Sequence, residues 1–233
     1  MSNPVNYRIH GEDLHIIEIM LPPGGAFRAE SGALVYMDTQ IQMDTPIQPK
    51  FIDKYIKSKV GEPVFNPVFR NKGLTPAKIA FSPPYPGQVI PLDLNKHTGA
   101  VICQKGAYLC GTLDVKISIA FTKSVAAGLF GKEGFVMQKL TGTGLVFIHC
   151  GGTILQRFLE PGEAILADIT SLAAFDSTVA YDVTPMPGFV NKFLGGEGMW
   201  LIHLEGPGWV FLQSTPFNVL AQQVGVTAPP PKP

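Results

Sequence analysis

The chain has 233 residues with 18 Lys and Arg against 18 Asp and Glu, so its formal net charge is zero and only 15% of its residues are charged, against roughly 25% in ordinary soluble domains. Such neutrality argues against broad electrostatic capture of DNA or RNA, which needs a concentrated basic surface. With 25 Gly, 21 Pro and 45% hydrophobic residues, the composition excludes low-complexity disorder and favours a packed, turn-rich fold.

The N-terminal residues 1–8 show neither an apolar core segment nor an Arg- and Ser-rich amphipathic stretch, so no secretory signal or transit peptide is read and a cytoplasmic protein is expected. Residues 7–21 predict a hairpin turning at Gly11-Glu12-Asp13. Pro23-Gly24 opens the first of three similar turns, the others being Pro86-Gly87 and Pro161-Gly162. Each is expected to reverse the chain into a new strand, and in each an acid falls six residues after the glycine: Glu30, Asp93 and Asp168.

Residues 51–60 have helical spacing, and 124–130 and 188–194 are shorter helix candidates. Each runs into a glycine and then an acid, Glu62, Glu133 or Glu197, the glycine being the expected helix terminator. The segment 62–69 carries Pro63 and Pro67, which mark it as an edge strand. Residues 129–150 align without gaps on 193–214, sharing four glycines and four other residues. Each copy reads as two strands joined in a hairpin by Gly142-Thr143-Gly144 or Gly206-Pro207-Gly208. Cys103, Cys110 and Cys150 sit among apolar or small residues and read as buried free thiols. The longest uncharged run, 140–156, is too short and too polar to span a bilayer, and the Pro-rich end, 227–233, is an extended tail.

The organisation expected is a single all-β domain, 1–226, made of three internal β-sandwich-like repeats (about 7–85, 86–160 and 161–220) with a few short helices. The first and last units could close on each other and remove a sheet edge.

Several of these segments carry a family pattern: Glu30-Ser31-Gly32-Ala33-Leu34-Val35-Tyr36-Met37, Pro83-Pro84-Tyr85-Pro86-Gly87 running into Ile90-Pro91-Leu92-Asp93-Leu94, Gly128-Leu129-Phe130-Gly131 with Glu133-Gly134, 138–144, and Phe193-Leu194-Gly195-Gly196-Glu197-Gly198. Together they resemble the mitochondrial biogenesis proteins named for altered inheritance of mitochondria, a family of unknown function in bacteria and archaea. The resemblance implies a fold similar to the tryptophan RNA-binding attenuation protein and a ring-like homotrimer. It brings no catalytic residues. The chain departs from the family pattern at Glu62-Pro63-Val64-Phe65. Eukaryotic members are linked to mitochondrial inner-membrane organisation, and the missing presequence argues against that role here.

As a ring, Glu30, Asp93 and Asp168 would suit a hard cation or polar ligand. The plainer reading, and the favoured one, is that each accepts backbone N–H bonds at a turn. Glu133 and Glu197, like Glu62, have no partner His or Lys at a fixed offset and read as structural, with ligand binding as the sharper alternative. The five histidines form no H-x-H or H-E-x-x-H spacing, which argues against zinc. A Gly-x-Ser-x-Gly nucleophile turn and a phosphate loop ending in Gly-Lys-Ser/Thr are absent, and no cofactor is expected. Phe135, Phe147, Trp200, Trp209 and Phe211 read as core or subunit packing ahead of RNA stacking. The function expected is that of a non-enzymatic homo-oligomeric scaffold or binding protein. The alternatives are a small-molecule, ion or RNA binding module and, after it, a carboxylate-based hydrolase on Glu30, Asp93 or Asp168.

Overall fold

The computed structural model describes residues 5–44, 66–123, 135–185, 200–217 and 219–220. Strands β1 (Asn6–His10) and β2 (Ile16–Leu21) form the expected N-terminal hairpin. In β2 the alternation buries Ile17, Ile19 and Leu21 and turns Glu18 and Met20 outward, the period-two pattern of a half-buried strand. The chain continues through β3 (Ala26–Ala29), β4 (Leu34–Met37), β5 (Ile41–Asp44), β6 (Val68–Asn71) and β7 (Ala77–Phe81). Next come β8 (Gly87–Asp93), a 3-10 turn (Leu94–Lys96), β9 (Ala100–Gln104), β10 (Tyr108–Thr112), β11 (Lys116–Lys123), β12 (Phe135–Thr141) and β13 (Leu145–Gly151). The last strands are β14 (Ile154–Leu159), β15 (Ala164–Asp168), β16 (Leu172–Asp176), β17 (Ala180–Pro185), β18 (Trp200–Glu205) and β19 (Gly208–Gln213).

These strands make four sheets, ordered β1-β2-β7-β4, β5-β6-β3-β10-β13-β8, β11-β12-β9-β16-β19-β14 and β15-β18-β17. The pairings recur every six strands. β2 and β4 flank β7 while β3 and β5 flank β6. β8 and β10 flank β13 while β9 and β11 flank β12. β14 and β16 flank β19 while β15 and β17 flank β18. Successive sets are joined edge to edge, β3 to β10 and β9 to β16. A bulge falls at the same place in the third strand of each set, between Leu34 and Tyr36, Tyr108 and Cys110, and Leu172 and Ala174.

Three cores lie between the four sheets. Ile79 and Phe81 meet Phe27, Phe69 and Phe147 in the first, Val146 and Ile148 meet Val101 and Leu140 in the second, and Phe175 and Met137 meet Ile202 and Leu204 in the third. Neighbours along β13 thus point into different cores, so this strand is buried on both faces and reads as a nearly continuous apolar run. Burial of each large side chain contributes about 1.5–3 kcal/mol.

The structure corrects several expectations. The described parts of the two aligned segments, 135–150 and 200–214, are equivalent, as aligned, but they are not hairpins. β12 and β13 lie in different sheets, as do β18 and β19, so the Gly-x-Gly turns carry the chain from one sheet to the next. Pro23-Gly24 and Pro161-Gly162 join the first and second strands of their sets, with Gly24 and Gly162 at φ of 72° and 80°, whereas Gly87 is already the first residue of β8. β14, expected in the second unit, pairs with β19. β6 is not an edge, since β5 and β3 flank it. Among the described residues the first and last sets do not close on each other: β4 and β15 each end a sheet. The expected helices at 51–60, 124–130 and 188–194 lie outside the described residues. No described helix is long and apolar enough to cross a membrane.

Candidate functional site at the joints between strand sets

The joints fix which residues are equivalent. Ala29 faces Cys110 where β3 meets β10, and Cys103 faces Ala174 where β9 meets β16. The residues that follow, Glu30 and Gln104, therefore occupy one position, which in the third set is Asp168 at the end of β15. Each begins the same tight turn, its carbonyl accepting from Ala33 (3.2 Å), Ala107 (3.0 Å) or Ser171 (3.0 Å). Asp93 does not belong with them. It ends β8 opposite Leu145, one strand earlier in its set, because Pro86-Gly87 stands before a first strand and its counterparts stand after one.

Two of the three acids serve as turn caps. Asp93 Oδ1 accepts from the backbone and side-chain amides of Asn95, at 3.1 and 2.9 Å. Asp168 Oδ1 accepts from Thr170 N at 2.7 Å and Thr170 Oγ1 at 2.5 Å. Glu30 differs: burial pushes its carboxyl up to about 7, and nearby Lys105 offsets only part of that. A half-buried carboxyl of this kind holds its proton up to near neutral pH.

At the joint of the second and third sets, Gln104 Nε2 reaches the Ile169 and Thr170 carbonyls at 3.3 and 3.4 Å. Gln213 donates to Gln104 Oε1 at 3.3 Å and to the Thr170 carbonyl at 3.2 Å, while its own oxygen accepts from Gly151 N at 3.0 Å. At the joint of the first and second sets, His149 occupies the position of Gln213. It is buried, neither ring nitrogen makes a hydrogen bond of good geometry, and burial pushes it down to about 4, with the backbone of Gly106 close enough to offset part of that. Tyr85 packs edge-on against it at 4.6 Å and stacks on Phe217 at 4.8 Å. Burial holds the Tyr85 and Tyr108 phenols and the Cys103 thiol above their usual ranges, with the charge of Glu30 adding to the effect. The first joint thus sets a titratable carboxyl and imidazole, Glu30 and His149, at the positions where the second has the neutral amides of Gln104 and Gln213.

Asp93 instead lines a polar cleft of about 560 Å³ with Tyr7, Lys96, His97 and Asp114. Beyond it, His97 Nδ1 lies 2.7 Å from Asp176 Oδ1. Glu133 and Glu197 lie outside the described residues, as does Glu62. Among the described residues no three His, Cys, Asp or Glu gather to hold a metal ion. Gln104, Gln213 and His149 escaped the sequence reading, although the gapless alignment already places His149 on Gln213.

The family model for mitochondrial biogenesis AIM24 matches residues 7–215. The chain belongs to this family. It is 25% identical over 209 residues to the uncharacterized protein M6_Spy0233 of Streptococcus pyogenes serotype M6, covering 85% of this chain and 81% of that one. The fold is similar to the crystal structure of protein SPYM3_0169 from Streptococcus pyogenes, with a TM-score of 0.75 and 21% identity over 95% of this chain and 99% of the other.

Proposed function

We propose that this family member is a non-enzymatic β scaffold that works as a homo-oligomer, a trimer, in the cytoplasm and binds protein partners on its assembled surface. The observation that carries the reading is that two sheet-ending strands expose large apolar side chains: Leu34, Val35 and Tyr36 on β4, and Leu166 on β15. An open strand edge with apolar side chains is a template for pairing with another chain. Multi-angle light scattering at micromolar concentration tests it. A mass near three times the 25.1 kDa of one chain is expected, and a stable monomer overturns the reading.

A second reading, a binding module for a small molecule or ion, is favoured by the first joint, which carries Glu30, a carboxyl that takes a proton near neutrality, and His149, a buried imidazole whose ring nitrogens lack well-formed hydrogen bonds. Native mass spectrometry of protein taken directly from cells should then show a bound species. Its repeated absence counts against this alternative.

A further inference from the structure

We propose that the first joint ends in a binding site for a single-chain amphiphile, whose uncharged, hydroxylated head sits in the polar cleft beside Asp93 and whose apolar chain lies in an adjoining cavity. Neither the oligomer nor Glu30 and His149 enter this inference, which goes beyond the readings above.

A break in the repeat marks the place. At the end of the third strand of the first and last sets, an aspartate caps an amide near the start of the sixth. Asp38 Oδ2 accepts from Lys78 N at 2.7 Å, and Asp176 Oδ2 accepts from Trp209 N at 2.9 Å. Thr112 is their counterpart in the second set, since it faces Phe27 across the first joint as Asp176 faces Val101 across the second. Its carbonyl keeps the shared turn, accepting from Val115 N as those of Asp38 and Asp176 accept from Ile41 N and Val179 N. Its side chain does not keep the cap: Thr112 Oγ1 is buried and has no hydrogen-bond partner among the described residues. Leaving a buried hydroxyl unpaired is costly, and a ligand atom is the partner this one lacks.

The linkers between first and second strands explain the space around it. In the second set residues 94–99 carry His97 across the joint, to within 2.7 Å of Asp176 Oδ1. The first set has only residues 22–25 at this place, and Pro22 and Gly25 instead border a cavity of about 410 Å³ that Thr112 also lines. Met20, Leu21 and Phe27 make this cavity apolar. Thr112 and Val5 line the polar cleft of about 560 Å³ as well, so the two spaces adjoin there. Both volumes fall within the roughly 300–1,000 Å³ of small-molecule sites. Thr112 Oγ1 lies against Gly144, and a turn about Cα–Cβ to another staggered position exchanges it with the threonine methyl and presents it to a ligand.

The head follows from the cleft. Among its lining residues Asp93 and Asp114 set two carboxylates against the ammonium of Lys96, and His97 is already held by Asp176. An anionic head would meet an excess of negative charge. Hydroxyls suit the mixture, because each can donate to a carboxylate and accept from Lys96 or Thr112.

Titration calorimetry of the full chain with octyl glucoside, kept below its micelle concentration, tests the site. Saturable binding of one molecule per chain is expected, with glucose and octyl sulfate each at least roughly tenfold weaker. Thr112→Val keeps the shape and should weaken binding roughly fivefold, as loss of one hydrogen bond does. It should not lower the melting temperature, because the hydroxyl it removes is unpaired in the free protein. Ala26→Leu, which fills the apolar cavity, should abolish binding. No saturable binding to the wild type, or equal binding of octyl sulfate, overturns the proposal. So does a Thr112→Val protein that melts lower and binds with unchanged affinity, which would make the hydroxyl structural. If Ala26→Leu fails to fold, an octyl glucoside analogue with a diazirine on its chain decides in the wild type: labelling within 20–27 and at Thr112 is expected, and labelling only elsewhere overturns the site. None of these results bears on the oligomer, which light scattering decides.

Discussion

Gln213 Nε2 donates to Gln104 Oε1 at 3.3 Å, tying β19 to β9 although those strands share no ladder and β16 runs between them. Gln213 also accepts from the buried Gly151 N–H. Gln213→Leu removes the acceptor and leaves that donor unpaired, which should cost about 1–3 kcal/mol. Gln213→His, which copies the residue of the first joint, should cost less. Urea unfolding of both variants checks the order, and a Leu variant as stable as wild type contradicts it.

Two titrating groups, the half-buried Glu30 and the buried His149, push stability in opposite directions with pH. Glu30 titrates at about 7 when folded against 4.5 when unfolded. The folded chain therefore keeps a proton that the unfolded chain has released, and stability falls as pH rises through that window. His149 titrates at about 4 when folded against 6.5 when unfolded. There the unfolded chain takes up the proton first, and stability falls as pH drops through 6.5 towards 4. Between 4.5 and 6.5 the two slopes oppose each other, so these two sites leave the wild type nearly flat. Glu30→Gln should expose the His149 slope and gain on wild type by on the order of 2 kcal/mol between pH 4.5 and pH 8, after a discount for partial exposure of the carboxyl. Unfolding curves at pH 4.5, 6.5 and 8 test this, and a difference that does not vary with pH would falsify it.

A methyl group at Gly87 would land on the Cys150 carbonyl oxygen, and at Gly162 it would meet nothing within 4 Å. Gly87→Ala must push apart the β8–β13 ladder and should cost at least about 1–3 kcal/mol, as overpacking does. Gly162→Ala keeps its space but holds an L residue at φ of 80°, which costs about 1–2 kcal/mol. Thermal melts should therefore show the larger loss at Gly87, where packing and ladder are both disturbed. Equal losses would show that backbone conformation alone decides.

Cys103, Cys110 and Cys150 are buried, and burial pushes all three thiols up, Cys150 to about 12. Since the thiolate is the reactive form, Ellman's reagent at pH 8 should find no fast-reacting thiol in the native protein and three per chain in denaturant. A native thiol that reacts within seconds would show that one of these sites opens to solvent.

Periodicity was legible in the sequence because the turns between sheets must reverse within a few residues, and that need puts glycines at Gly142, Gly144, Gly206 and Gly208. Its phase was less so. A sharp reversal has the same residue signature whether the flanking strands pair with each other or enter two sheets, so a hairpin was read where a crossover stands. Pro86-Gly87 carried the same two residues as Pro23-Gly24 one strand out of step, and this placed Asp93 beside Glu30 and Asp168. The true counterpart, Gln104, is an amide, and a search for repeated acids passes over it. His149 stood alone in its pattern. Only its alignment with Gln213 marked the place, and only the joint between strand sets showed what that place does.

The bulge at Val35, Leu109 and Ala173 adds one residue to the third strand of every set, next to the edge where sets join. A bulge sharpens the local twist of its strand, so the chain bends by a similar step at each junction. In the oligomer proposed above, that single repeated residue would set how far each unit turns from the last, and deleting it in all three places is expected to change the number of chains per oligomer, read by light scattering, while leaving the strands able to pair.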